Sequence, residues 1–326
     1  MKKKLSLALL TMLIAAGCSE SDQSNLPDSP VNAVPIRIGQ SVSAVSRAVA
    51  ENGTSVTATI LRCDGDIPSD WSGFTKVDKN VINDSKQLTD RASVSAASFV
   101  VGTTQEISLN QELYYHTDGT TNSFVAGISP AGQVANAGTA VAFSQKDGTQ
   151  DVMYASAISV GKGDSPAVSR NLTFEHKTTQ LNFEIKLEKV SGGGEWNGKR
   201  MKEVAVPAAV DAADGTVTWS SAATLAVPGI AETVIAEAAT AAGSPIMIKA
   251  GDKVVVDVAI VVGSDTKVFY NVPVMNGSDN LTTVTGKSHK ITLTMKEPAT
   301  ADDAVKITTT ATVTPWVVGD SGTAEL

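Results

Sequence analysis

The stretch that decides the fold is NLTFEHKTTQLNFEIKLE, residues 171–188, because its alternation changes phase part-way along. The apolar side occupies even positions up to His176 and odd positions from Leu181 to Leu187. A single strand cannot bury both sets on one face, so a bulge or bend within 177–180 must reset the register. We therefore place a domain boundary near residue 170, with an N-terminal β-sandwich over 36–170 and a C-terminal one over 171–326.

Period-two alternation elsewhere predicts an all-β fold. His289, Ile291, Leu293 and Met295 share one face of a predicted half-buried strand, and 254–262 is a continuous apolar run typical of a strand covered on both faces. Frequent turn signals such as Asp147-Gly148 and Asn276-Gly277 separate short strands, a pattern typical of sandwiches. Segment 231–242 is compatible with one short helix or with a crossover loop.

The N-terminus predicts export. Three lysines precede an apolar run that is too short to span a bilayer, which identifies residues 1–17 as a signal peptide. The run ends at a lipobox-like Cys18, the predicted lipidation site; the alternative is an ordinary signal peptide with an incidental cysteine. Residues 18–35 are rich in Ser, Pro, Asp and Asn and predict a tether to the outer membrane.

Composition excludes some classes of function. Loss of the three leader lysines changes the formal net charge from −8 to −11, which leaves no basic footprint for nucleic acid. Cys63 is the one cysteine besides Cys18, so we expect it to be packed as a small hydrophobe and the fold to form without disulfides.

The sequence contains no evident catalytic or metal-binding set, so we expect no enzyme activity, no cofactor and no metal. The three histidines, His116, His176 and His289, have no metal-ligand spacing. Asp64, Asp66 and Asp70 lie close together, but without the spacing of a calcium loop they indicate a solvated loop. For Tyr114 and Tyr115 we expect one ring in the core and one on the surface, rather than a sugar-binding patch with Trp71.

Several segments in their order along the chain resemble the fimbrillins, which are type V pilins and related surface lipoproteins. The segments that carry this resemblance are Cys18, Ser46-Arg47-Ala48, AFSQKDGTQDVMYA at 142–155, LTFEHKTTQLNFEIKL at 172–187, GKSHKITLTMK at 286–296 and ATVTPWVVG at 311–319. The resemblance implies two tandem transthyretin-like or Ig-like β-sandwich domains. It also implies a structural subunit of a fimbria that supports adhesion.

The resemblance further implies assembly by protease-triggered donor-strand exchange. Ile36, Ile38, Val42 and Ala44 alternate with small or polar residues and form a candidate removable first strand. Arg47, followed by Ala48, matches the position where an Arg-specific protease cuts in the family. The candidate donor strand is 306–318, with one face formed by Ile307, Thr309, Ala311, Val313 and Val317.

Two other roles remain open at this point. The chain is either a pilus tip or anchor subunit, or a non-polymerising outer-membrane surface lipoprotein that binds a glycan or a host protein. The expected partners of a pilin are other pilus subunits, the Arg-specific protease and, through lipid, the outer membrane. We expect such a subunit to be surface exposed and, after processing, to lie in the fimbria.

Overall fold

The computed structural model describes residues 34–42, 53–65, 92–100, 106–116, 119–131, 141–145, 147–189, 196–207, 212–213, 217–221, 223–296 and 306–315. These residues form an all-β structure, as the alternation predicts. Its strands, numbered in chain order, are β1 (Gly39–Val42), β2 (Ser55–Asp64), β3 (Ala92–Val100), β4 (Ser108–Leu109), β5 (Ser123–Ser129), β6 (Val141–Gln145), β7 (Met153–Gly161), β8 (Asn171–His176), β9 (Thr178–Glu188), β10 (Arg200–Pro207), β11 (Ala212–Ala213), β12 (Val217–Ser221), β13 (Thr224–Ala226), β14 (Thr240–Lys249), β15 (Val255–Val262), β16 (Asp265–Pro273), β17 (Met275–Asn276), β18 (Asp279–Asn280), β19 (Lys287–Lys296) and β20 (Lys306–Pro315).

Helical structure in the described ranges is limited to one 3-10 turn, Ile230–Glu232. Of the two alternatives for segment 231–242, a short helix or a crossover loop, the structure shows the loop. The 3-10 turn buries Ile230, and the chain then crosses to β14. No helix within the described ranges is long and apolar enough to cross a membrane.

The N-terminal half is built on one seven-stranded sheet in the order β1-β8-β7-β5-β2-β3-β4. Its core includes Ile60, Leu113, Phe99 and Phe174, and the two phenylalanine rings stack with their centroids 4.8 Å apart. Gly127 of β5 makes room for this stack, since a Cβ there would lie 2.8 Å from the Phe174 ring. The absence of a side chain at Gly127 therefore lets Phe174 pack flat on the sheet.

The C-terminal half is a sandwich of two four-stranded sheets, β13-β10-β15-β16 and β14-β9-β19-β20. Their inner faces meet in a second, larger core that contains the odd-numbered residues of β9 and β19, including Leu181, Ile185 and Leu293. The predicted strand over 289–295 is confirmed, with His289, Ile291, Leu293 and Met295 all buried. The run at 254–262 is covered on both faces only in part, because Val261 is 36% exposed.

The phase change in the opening stretch marks the passage between the two halves. His176 ends β8 and pairs with Met153 of the first sheet, whereas Thr178 begins β9 and pairs with Lys249 of the second. The two sets of apolar residues therefore face two different cores. The buried carboxylate of Asp151 spans this point, 2.6 Å from His176 Nδ1 and accepting a hydrogen bond of 2.7 Å from Thr178 Oγ1.

Two further contacts connect the halves. A small sheet, β11-β12-β6, pairs Val141–Gln145 in parallel with Val217–Ser221. The amide of Met247 also donates to the carbonyl oxygen of Gly148 at 2.7 Å. The turn at 147–148 thus lies against the second sandwich.

Candidate functional site

The candidate site is formed by the first described segment, residues 34–42, and the two strand edges that hold it. Its first half runs antiparallel to residues 106–115. Ile36 N donates to Leu113 O at 2.7 Å, and Ile107 N donates to Ile38 O at 2.8 Å. Residues 106–115 contain β4, the strand at one end of the seven-stranded sheet.

The second half of the segment, β1, pairs in parallel with β8 at the other end of the same sheet. The register runs from Gly39 opposite Asn171 to Val42 opposite Phe174. Residues 34–42 therefore join both ends of the sheet. Without this segment, two rows of backbone hydrogen-bonding groups would lose their partners.

The side chains of the segment alternate between the core and the surface. Ile36 and Ile38 are 2% and 1% exposed and pack in the first core. Val42 lies in β1, and Ala44 lies outside the described residues. Pairing also begins earlier than the predicted tether boundary, since Val34 O accepts a hydrogen bond of 3.0 Å from Tyr115 N.

Three polar contacts of the segment were missed by the sequence analysis. The inward-facing Gln40 is buried, and its Nε2 donates to Val100 O at 2.9 Å. On the outer side, the Ser41 and Thr173 hydroxyls lie 3.0 Å apart, and Arg37 forms an ion pair of 3.4 Å with Glu112. Strict alternation from Ile36 was the available signal for Gln40, because it places position 40 on the inner face.

The candidate donor strand is the edge strand β20 of the second sandwich. It pairs antiparallel with β19 along its whole length, from Lys306 opposite Lys296 to Pro315 opposite Lys287. Pro315 stands at the strand end, where its missing N–H removes no central ladder bond. As an edge strand in the described part of the chain, β20 pairs with one neighbouring strand, β19.

Two inward-facing side chains of β20 are described, and both are small. Thr309 and Ala311 are 4% and 7% exposed. Thr309 Oγ1 donates to Pro273 O and accepts a hydrogen bond of 3.2 Å from Met275 N. Ile307 and Val313 are placed by the β19 register, whereas Val317 lies outside the described residues.

The lipidation and processing residues, Cys18, Arg47 and Ala48, also lie outside the described residues. Their roles remain predictions. The proposed first strand ends at Val42 in the described structure, five positions before Arg47 in the sequence.

The prediction of a solvated loop at Asp64 is wrong. Asp64 ends β2 and is 2% exposed, because its carboxylate is in contact with the buried guanidinium of Arg62 and accepts a hydrogen bond of 2.6 Å from Ser123 Oγ. Burial raises the pKa of Asp64, and the contacts with Arg62 and Ser123 oppose that rise. Asp66 and Asp70 lie outside the described residues.

The remaining candidates for chemistry are structural. His176 and His289 are buried, and burial lowers the pKa of His289. Tyr115 is buried and donates from its hydroxyl to Val160 O at 2.8 Å, while Tyr114 is partly exposed, as predicted for the pair. Cys63 is buried and forms no disulfide. Within the described ranges, no group of His, Cys, Asp and Glu is arranged to hold a metal ion.

The family model described as fimbrillin-like matches residues 68–316, most of the chain. The chain belongs to the fimbrillin-like family. Fimbrillins are structural fimbrial proteins, in agreement with the prediction that the chain is not an enzyme. The extent of the match is also in agreement with the resemblance seen in the sequence.

Solved structures similar to this fimbrillin-like chain include three of fimbrial or adhesion type. A proposed cell adhesion protein from Bacteroides ovatus is 16% identical, with 88% of this chain and 99% of that chain covered and a TM-score of 0.48. A fimbrilin from Porphyromonas gingivalis is 11% identical, with 88% and 99% covered and a TM-score of 0.40. The fimbrial anchor protein Mfa2 from the same species is 12% identical, with 86% and 99% covered and a TM-score of 0.39. No curated protein matches the sequence. At these TM-scores the structural similarities carry no functional conclusion.

Proposed function

We propose that this fimbrillin-like protein is a structural subunit of a cell-surface fimbria that supports adhesion and is assembled by donor-strand exchange. The observation that carries the proposal is the position of residues 34–42, which are the only segment among the described residues that joins both ends of the first sheet. Removal of this segment would leave a groove with the dimensions and bonding groups of one strand.

The groove would be energetically costly to leave open. Burial of each of Ile36 and Ile38 contributes about 1.5–3 kcal/mol, which is lost when the segment leaves. The strand edges on both sides would also lose backbone partners, each hydrogen bond contributing a net ~0.5–1.5 kcal/mol. A strand from a second molecule restores both contributions, as in strand addition to an open sheet edge.

The strand β20 is suited to be that donor. The two inward side chains of β20 that the structure describes, Thr309 and Ala311, are small, so their release exposes less apolar area than release of Ile36 and Ile38. It is also the last described strand and needs to break only one strand pairing. In this proposal Cys18 anchors the precursor to the outer membrane, and cleavage after Arg47 by an Arg-specific protease removes anchor and first strand together.

Controlled proteolysis tests the proposal. Purified lipoprotein is treated with an Arg-specific protease, the new N-terminus is sequenced, and oligomers are resolved by SDS gel without boiling. We expect an N-terminus at Ala48 and a ladder of SDS-resistant oligomers, both absent from the Arg47→Ala variant. Deletion of 306–326 should abolish the ladder while leaving cleavage intact. A protein that is cleaved at Arg47 but remains monomeric would contradict polymerisation and favour a tip, an anchor or a non-polymerising lipoprotein.

A further inference from the structure

The first strand and the candidate donor strand have the same residue pattern in the same chain direction. IRIGQSVSA at 36–44 aligns with VKITTTATV at 305–313, which places Lys306 at Arg37, Ile307 at Ile38 and Ala311 at Val42. Apolar positions match apolar positions, and a basic residue matches a basic residue. Any two alternating strands share a two-residue period, so the proposed register depends on the individual contacts of the first strand.

The inward contacts of the first strand can be reproduced in this register. Ile38 is 1% exposed and would be replaced by another isoleucine, Ile307. Gln40 donates from Nε2 to Val100 O at 2.9 Å, and Thr309 would place a polar side chain at the same strand position, although its shorter hydroxyl does not extend to Val100 O. The apolar pocket therefore retains a matched side chain, and the polar position next to it retains a polar residue.

The outward contacts can also be reproduced. Arg37 faces Glu112 at 3.4 Å, and Lys306 would bring a cation to the same carboxylate. The Ser41 hydroxyl lies 3.0 Å from that of Thr173, and Thr310 would bring a hydroxyl to the same place. One misfit occurs at Gly39, where a Cβ would lie 2.1 Å from Asn171 Oδ1, so Thr308 requires the exposed Asn171 side chain to turn towards solvent.

Other registers fit less well. A shift by two residues places either Thr309 in the buried Ile38 pocket or Ile307 at the position of the hydrogen-bonding Gln40. A shift by one residue turns Thr308, Thr310 and Thr312 towards the core, because a one-residue slip exchanges the two faces of a strand. Each alternative turns polar side chains towards the apolar core or places an apolar side chain at the polar position of Gln40.

We propose that Lys306–Ala311 of a second copy of this chain occupies the register of Arg37–Val42, parallel to β8, with Thr310 beside Thr173. This inference rests on the proposed function, since it specifies how the donor strand sits in the groove. It names Ile38 and Ser41, with their replacements Ile307 and Thr310, as the residues that set the register.

Disulfide trapping tests the register. In a Cys63→Ala background, Thr173→Cys is combined with Thr310→Cys, and the full chain is cleaved after Arg47, allowed to assemble and oxidised mildly. Matched controls combine Thr173→Cys with Thr308→Cys or Thr312→Cys, which lie on the same face two residues away on either side. Disulfides need Cα atoms within about 7 Å, so the three pairs discriminate between registers.

We expect the Thr310→Cys pair to give a ladder that survives boiling in SDS and is lost on reduction, at least tenfold more abundant than with either control. A stronger ladder from Thr308→Cys or Thr312→Cys overturns the register. The register is also overturned if none of the three pairs gives a boiling-resistant ladder although unboiled samples contain oligomers. Neither result contradicts strand exchange itself. Absence of any oligomer from the cleaved Cys63→Ala parent, with wild type likewise monomeric, overturns the proposed function and the register with it.

Discussion

The amide of Ile36 donates a hydrogen bond of 2.7 Å to the carbonyl oxygen of Leu113. This contact attaches residues 34–42 to the β4 end of the first sheet, while β1, in the same segment, pairs with β8 at the opposite end. The segment is therefore an integral part of the first sheet, and its buried side chains stabilise the folded chain.

Replacement of Ile38 tests this integral role. Ile38→Ala should lower the free energy of unfolding of the uncleaved protein by about 2–5 kcal/mol, because a fully buried side chain is truncated. The same substitution should leave the product of the proposed cleavage after Arg47 unchanged, since the residue is absent from it. Chemical denaturation of both forms measures the difference.

Arg37→Ala is the matched control for Ile38→Ala, since Arg37 is adjacent and its ion pair with Glu112 is exposed. Such a surface pair contributes about 1 kcal/mol or less. Equal, small effects of the two substitutions would mean that the segment is a linker and that its removal opens no groove.

Gly127 should not tolerate a side chain. A Cβ there would lie 2.8 Å from Phe174 and 3.2 Å from Ile60, so Gly127→Ala should destabilise the protein by about 1–3 kcal/mol through overpacking. Gly163→Ala, whose Cβ would have Tyr115 as its nearest contact at 3.5 Å, should be close to neutral. Thermal unfolding compares the two variants, and equal melting temperatures would contradict the packing of Phe174 on β5.

The buried Arg62–Asp64 pair should show strong coupling. Asp64→Asn should cost about 3–5 kcal/mol, because it leaves the guanidinium charge of Arg62 buried without its carboxylate. The double variant Arg62→Met/Asp64→Leu should be less destabilised than the sum of Arg62→Met and Asp64→Leu. A double-mutant cycle by urea denaturation measures the coupling, and additive effects would show that the two charges do not stabilise each other.

Acidification should destabilise the second sandwich through His289. Burial lowers the pKa of His289 from its ordinary value of 6.5, so the unfolded chain binds a proton before the folded one does. The contribution of His289 to stability is complete above about pH 6.5 and decreases as pH falls from there towards the lower folded pKa.

His289→Gln isolates that contribution, because it keeps a side-chain acceptor near the amide of Val284 without a titrating group. Between pH 7 and pH 5 the free energy of unfolding should fall less steeply for the variant than for wild type. The two slopes should differ by up to about 1.4 kcal/mol per pH unit, the value for uptake of one proton. Wild type and variant are compared as slopes, with pH 8 as the reference for each. Identical slopes would show that His289 does not take up a proton on unfolding.

Periodicity alone determined much of this protein. The phase change between His176 and Leu181 lies where the chain passes from β8 of the first sheet to β9 of another, although the predicted boundary near residue 170 assigned β8 to the C-terminal domain. The alternation of 289–295 predicted a strand with one buried face. Such patterns are local, since each residue's burial follows from its place on a pleated strand. Ile36 and Ile38 alternate in the same way, and both are buried.

Only the tertiary structure decided which distant groups meet. Asp64 has the sequence environment of a loop, yet it lies on a strand beside Arg62 and Ser123, because β2 is central in its sheet. The pairing of residues 34–42 with both 106–115 and β8 was equally hidden, since partner and register depend on contacts across long sequence separations. Alternation shows which side of a strand faces inward; the folded chain alone determines which strand lies beside it.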